Sequence, residues 1–158
     1  MSDTTAVERD TDELVRDSQR AALRLANVDE ATRNEALRSI ADALREEEAA
    51  ILDANARDVS AAEELLAQGE YTQALVDRLK LDAAKIESIA EMVESVAEQE
   101  DPLGRTLAAR ELDEGLELYR VSVPIGVVAT VFESRPDALV QIAALALKSG
   151  NAVILKGG

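Results

Sequence analysis

Two short apolar runs bracket one apolar helical stretch in the last third of this 158-residue chain. The first is Ile125-Gly126-Val127-Val128-Ala129-Thr130-Val131-Phe132, and the second is Ala152-Val153-Ile154-Leu155. Between them lie Leu139, Val140, Ile142, Ala143, Leu145, Ala146 and Leu147, a helix apolar on most sides. Pro136 suits its first turn. Lys148 puts a cation near its C-terminus, and Gly150 suits a left-handed cap. Strands without polar alternation belong in a parallel sheet covered by helices on both faces. A strand, helix and strand of these lengths form a parallel crossover, normally right-handed. The fold class is therefore α/β, and ligands in such sheets collect beyond the carboxyl ends of the strands.

Upstream the period is helical. Leu14, Ala21, Ala22 and Leu25 recur at helical spacing. Asp29 is suited to cap a helix whose stripe is Leu37, Ile40, Ala41 and Leu44. Ile51 and Leu52 follow an acid run, and Ala61 to Leu66 reads as a short helix stopped near Gly69. Leu75, Val76 and Leu79 lead to a second cap at Asp82, followed by the stripe Ile86, Ile89, Ala90, Val93 and Val96. The acids opposite these stripes read as solvated faces, with no metal site. Asp101-Pro102-Leu103-Gly104 ends the helical region. Arg110-Glu111-Leu112 and Leu116 to Val121 then read as two strands around Asp113-Glu114-Gly115. Leu116 and Leu118 alternate with Glu117 and Tyr119, which predicts an antiparallel ribbon with one face exposed. An uncovered edge of such a ribbon can pair with a partner.

Composition narrows the function classes. The formal net charge is -15, which disfavours nucleic acid and anionic membrane as partners. Thirteen arginines stand against four lysines, and with the acids this resembles salt-adapted composition, where screening at molar salt removes most self-repulsion. Aromatic residues are 2% and many apolar positions are alanine, so the core is thin. Cysteine and histidine are absent. Disulfides, cysteine-ligated metal and any Cys-His or Ser-His catalytic pair are thereby excluded within these residues. The first residues carry no basic and apolar signal-peptide regions, and no apolar run approaches the roughly 20 residues needed to span a bilayer. A cytoplasmic location is the expectation.

The residues beyond the two apolar runs are Glu133-Ser134-Arg135 and Lys156-Gly157-Gly158. They suit an anion. The helix start near Pro136 offers unpaired N–H groups. Ser134 can donate a hydroxyl, Arg135 can grip a carboxylate or phosphate in bidentate fashion, and Lys156 adds a point charge. The glycines admit close backbone approach. The same residues also read as loop charges and a helix cap, and physics alone leaves both readings open. The fingerprint Gly-x-Gly-x-x-Gly is absent.

Several segments carry a family resemblance. They are Val123-Pro124-Ile125-Gly126-Val127, Phe132-Glu133-Ser134-Arg135-Pro136 and the run from Ala144 to Gly158. Together they closely resemble the gamma-glutamyl phosphate reductases, also called glutamate-5-semialdehyde dehydrogenases, of the aldehyde dehydrogenase superfamily. Asn34 to Leu37, Ala41 to Leu44, Ile51 to Asp58 and Asp77-Arg78-Leu79 extend the resemblance upstream. It implies NADPH-dependent reduction of L-glutamyl 5-phosphate to glutamate 5-semialdehyde and phosphate in proline biosynthesis, through a thioester on a cysteine. NADPH/NADP is the implied cofactor, glutamyl phosphate the implied small-molecule substrate, and a homo-oligomer the implied assembly.

The resemblance also implies roles by position. Lys156 matches a lysine that contacts the adenosine ribose, with Gly157 beside it. Thr130, Val131 and Phe132 match the strand end that passes the cofactor. Ser134 falls where many relatives carry an oxyanion-stabilising asparagine. Arg135 is assigned to the substrate's phosphate or carboxylate, although Asp137 stands where an asparagine is expected. No metal is implied. The layout expected is a disordered tail over 1–10, a helical region over 11–100, an oligomerisation-type hairpin over 106–122, and the truncated start of an NADP-binding, Rossmann-like βαβ domain over 123–158. Members of the family are longer, and this chain lacks the cysteine, so it reads as an N-terminal fragment inactive alone. The alternatives are a non-catalytic nucleotide- or partner-binding module and another aldehyde dehydrogenase.

Overall fold

The computed structural model describes residues 11–133 and 135–157. Six helices and four strands follow in order: α1 (Thr11–Leu25), α2 (Glu30–Glu46), α3 (Glu48–Ala67), α4 (Gln73–Leu79), α5 (Ala83–Glu98), β1 (Thr106–Asp113), β2 (Leu116–Val121), β3 (Val127–Val131), α6 (Pro136–Lys148) and β4 (Ala152–Lys156). The expected tail over 1–10 lies outside the described residues.

Helix starts follow the capping chemistry in the sequence. Asp29 accepts from the Thr32 amide at 2.8 Å and opens α2. Asp82 accepts from the Lys85 amide at 2.7 Å and opens α5. One helix differs from expectation. Ala61 to Leu66 is the end of α3, a single 20-residue helix, because nothing between Glu48 and Ala67 breaks it.

The core forms where α2, α5 and α6 meet. Leu37, Ala41, Ala90, Val93, Val96, Ala97 and Ala144 are buried there, with Ile40, Leu44, Met92, Val140 and Leu147 packed around them. The stripes legible in α2 and α5 thus face each other, and α6 closes the third side. Helix α1 lies against β3 and β4. At its other face α6 keeps Leu139 and Leu145 about half exposed.

Lys148 is the expected cation in the last turn of α6, and it does more than the sequence shows: its side chain is buried, with 4% exposure. Its Nζ donates to Asn34 Oδ1 at 2.8 Å, to the Ala97 carbonyl at 3.1 Å and to Glu30 Oε1 at 3.3 Å. All three donors of the ammonium are used, and they tie α6 to α2 and to the end of α5. Arg33, also on α2, acts in a similar way. It is buried, donates to the Val28 carbonyl and to Asp101 at 2.6 Å each, and so joins α2 to the loop after α5.

β1 and β2 form the antiparallel ribbon, with Arg110 opposite Leu118 and irregular register near Ala108 and Asp113. Both faces are exposed along its whole length, so the expected covered face is absent among the described residues. Its base is fastened by Ser122, whose hydroxyl donates to the Pro102 carbonyl at 2.7 Å and accepts from the Arg105 amide at 3.0 Å.

β3 and β4 are parallel, as the apolar runs require. β3 starts at Val127, two residues later than the apolar run. Gly126 has φ 117°, which breaks extended backbone before it, and Ile125 is 83% exposed. Asn151 fixes this entry: its Oδ1 accepts from the Gly126 amide at 2.9 Å. Gly150 closes α6 with φ 68°, and a Cβ there would lie 2.8 Å from Leu103 and 3.1 Å from Pro124.

The packing can be tested at two cations. Lys148→Ala leaves the Ala97 carbonyl and Asn34 without their donor in a buried place, and lowers unfolding free energy by about 2–3 kcal/mol. Lys148→Met, which keeps the stem, loses less, and urea denaturation separates the two. The second cation is Arg45, which donates to Glu87 at 2.8–3.1 Å and to Glu94 at 2.7–3.1 Å. Hydrogen bonds from Arg45 hold both carboxyl groups below their ordinary value of 4.5. A carboxyl with a depressed folded-state pKa stabilises the fold above its unfolded value and loses that contribution as pH falls through the folded one. The difference in urea midpoint between wild type and Arg45→Met therefore shrinks as pH falls below 4.5.

Candidate functional site

The parallel pair sets the register of the candidate site. Thr130 pairs with Leu155 and Val131 with Lys156, and the Phe132 amide donates to the Lys156 carbonyl at 3.1 Å. The two strand ends are therefore level. Register partners project to the same side, which places Lys156 beside Val131. Val131 is 75% exposed, whereas Thr130 and Phe132 are half-buried. Lys156 is exposed, and its side chain has no hydrogen bond or ion pair among the described residues. At Gly157 a Cβ would sit 3.9 Å from the Phe132 ring, an ordinary contact. Gly157 thus offers bare backbone next to a free cation and an aromatic edge. A cation beside bare backbone suits an anionic group such as a phosphate.

Beyond β3 the arrangement is more specific than the sequence implied. Ser134 lies outside the described residues. Arg135 occupies the position before α6 but makes no cap hydrogen bond. Its Nη2 donates to Asp137 Oδ2 at 2.9 Å instead. This hydrogen bond holds the Asp137 carboxyl below its ordinary value and makes the Arg135 guanidinium harder to deprotonate. The pair is locally neutral.

Glu133 and Arg135 each line a cavity bounded by helices. Arg135 and Asp137 line a cavity of about 700 Å³ with Asp77, Arg78, Lys85 and Ser88 of the α4–α5 region. Glu133 lines a second cavity of about 480 Å³ with Leu65 of α3 and Tyr71. Neither cavity includes Lys156 or Gly157. The residues after β3 thus line helix-bounded cavities that Lys156 and Gly157 do not line.

Sequence reasoning does not single out Lys85 or Ser88, and it names Arg78 only within the resemblance segment Asp77-Arg78-Leu79, without a site role. Lys85 and Ser88 are three apart on α5, so they share a face. Their position is held by Asn55 of α3. This buried amide donates to the Leu79 carbonyl at 2.7 Å and accepts from the Leu81 amide at 2.9 Å. It clamps both sides of the turn between α4 and α5.

The chain belongs to the aldehyde dehydrogenase family, whose model matches residues 2–158. A gamma-glutamyl phosphate reductase of Natronomonas pharaonis is 65% identical over the whole chain, which spans 35% of that relative. One of Haloquadratum walsbyi is 64% identical, again with 100% of this chain and 35% of the relative covered. Among solved structures, the gamma-glutamyl phosphate reductase of Saccharomyces cerevisiae superposes with a TM-score of 0.88 at 38% identity, covering 95% of this chain and 37% of that one. That of Thermotoga maritima gives 0.84 at 36% identity, with 92% and 34% covered. The chain thus spans about a third of the length of its relatives. The family implies a nicotinamide cofactor.

Asn55→Ala leaves the Leu79 carbonyl and the Leu81 amide without their partner. It lowers unfolding free energy by about 1–3 kcal/mol, read from the urea midpoint. Asn55→Asp keeps the acceptor for the Leu81 amide but sets a buried carboxylate oxygen against the Leu79 carbonyl, and costs at least as much at neutral pH.

Proposed function

We propose that the protein carrying these residues is an NADPH-dependent gamma-glutamyl phosphate reductase. It converts L-glutamyl 5-phosphate to L-glutamate 5-semialdehyde and phosphate in proline biosynthesis. The observation that carries this reading is 65% identity over the entire chain to a reductase of that name. The free Lys156 and bare Gly157 beyond β4 support a cofactor role for this strand end.

Bound NADPH supplies the hydride. Within this chain, Lys156 holds the adenosine ribose, and its cation favours the 2′-phosphate that distinguishes NADPH from NADH. Gly157 lets the backbone approach, and Thr130, Val131 and Phe132 form the strand end beside it. Ser134 is assigned as a donor to the developing oxyanion. Arg135 is assigned to an anionic group of the substrate. The 158 residues hold no cysteine, so the nucleophile of the proposed reaction lies outside them. The exposed β1–β2 ribbon suits assembly into a homo-oligomer, and the expected layout of helical region, hairpin and cofactor domain belongs to the same reading. So does a cytoplasmic enzyme adapted to salt.

The test uses the full-length gene product, assayed in reverse with glutamate semialdehyde, phosphate and NADP. Activity there supports the substrate assignment, and its absence removes it. Lys156→Ala raises KM for NADPH about tenfold, the scale of one charge-assisted hydrogen bond, with a smaller effect on NADH. An unchanged KM for NADPH removes the role of Lys156.

A further inference from the structure

We propose that Arg78 and Lys85 bind a carboxylate at the non-reacting end of the substrate, in the cavity they share with Arg135. This rests on the reductase reading and names the portion of the substrate that the cavity takes.

The charge balance inside the cavity carries the inference. Of the five charged residues that line it, three are already engaged. Asp77 accepts from Gln73 at 3.0 Å and from Lys80 at 3.1 Å. Arg135 and Asp137 offset each other at 2.9 Å. Arg78 makes no hydrogen bond or ion pair among the described residues, and the Lys85 ammonium gives only one hydrogen bond, to the Lys80 carbonyl at 2.7 Å. That leaves two of its three donors for a ligand. In a chain of net charge -15, two uncompensated cations on one cavity wall select an anion. A guanidinium fork beside a point charge matches a carboxylate.

The remaining lining fits a short amino acid. Leu81 and Ile89 give apolar contact for methylene groups, and Ser88 offers a hydroxyl. About 700 Å³ lies within the range of small-molecule sites. The cations are also pre-positioned, because Asn55 clamps Leu79 and Leu81 while Asp82 caps the turn that carries Lys85. None of Thr130, Val131, Phe132, Lys156 and Gly157 lines this cavity. A group bound at Arg78 and Lys85 is therefore lined by a different set of residues from those assigned to the cofactor. The phosphoryl group leaves from the carbon that receives hydride, so it belongs at the reacting end. The carboxylate persists in the product and belongs at the other.

The experiment uses the full-length protein in the reverse direction. Arg78→Gln and Lys85→Gln each raise KM for glutamate semialdehyde about tenfold, while KM for phosphate and for NADP stays within about twofold, and Arg78→Lys recovers some of the loss. An unchanged KM for the semialdehyde overturns the assignment, as does a rise in KM for phosphate instead. A second readout needs no turnover. L-glutamate raises the melting temperature of the cofactor-free wild type more than its α-amide does, and Arg78→Gln abolishes the difference. Equal stabilisation of the wild type by both compounds overturns the proposal. Arg78 is exposed, so its variants melt at the wild-type temperature without ligand. A wild type without reductase activity removes the function reading and this assignment with it. An active wild type with an indifferent Arg78→Gln removes the assignment alone.

Discussion

A single buried ammonium decides how this fold is held. Lys148 ends α6 and reaches into the angle between α2 and the end of α5. Desolvating a charge is expensive unless every donor is used, and here all three are. Because its partners come from positions more than fifty residues upstream, the contact fixes where the crossover helix lies on the helical layer. The levels of β3 and β4 follow from it, since Gly150 and Asn151 continue directly from the end of α6 into β4.

That placement bears on why the residues after β3 line helix-bounded cavities and those at the end of β4 do not. Lys156 makes the last register pair of β4 with Val131, and Gly157 follows it; both are exposed. Arg135 and Asp137 belong to the start of α6, which is drawn against α5 by the core around Val93 and Ala144. The charged and polar residues that follow the two strands are therefore divided between a strand end and a helix-lined cavity.

Much of this is legible in the sequence. Asp29 and Asp82 cap helices as their spacing indicates, the stripes of α2 and α5 are buried, and the apolar runs pair in parallel. These features are local or periodic, and local physics sets them. What stays hidden depends on contacts distant in the chain. Lys148 reads as an ordinary helix-end cation because nothing nearby in sequence names Asn34 or Ala97 as its partners. Arg78 and Lys85 lie in a stretch legible for its cap, its stripe and the resemblance segment Asp77-Arg78-Leu79, and no pattern joins them to Arg135. The sequence divides α3 because its acids and alanines lack a strong apolar stripe. It also implies a covered face for the ribbon, because alternation signals which residues share a side and not whether anything lies against it.

The core itself has a consequence for how such a sequence can vary. Four of its seven buried members, Ala41, Ala90, Ala97 and Ala144, are alanine. Helices that meet over methyl groups approach closely, and backbone atoms join the packing surface. Substitution is then one-sided. A residue larger than alanine must push a helix outward, and with it the strand that continues from α6. A smaller one leaves only glycine, with its loss of helix propensity. The freedom to drift lies in the exposed acids and arginines, so relatives can diverge widely in surface charge while the spacing between these three helices stays nearly constant.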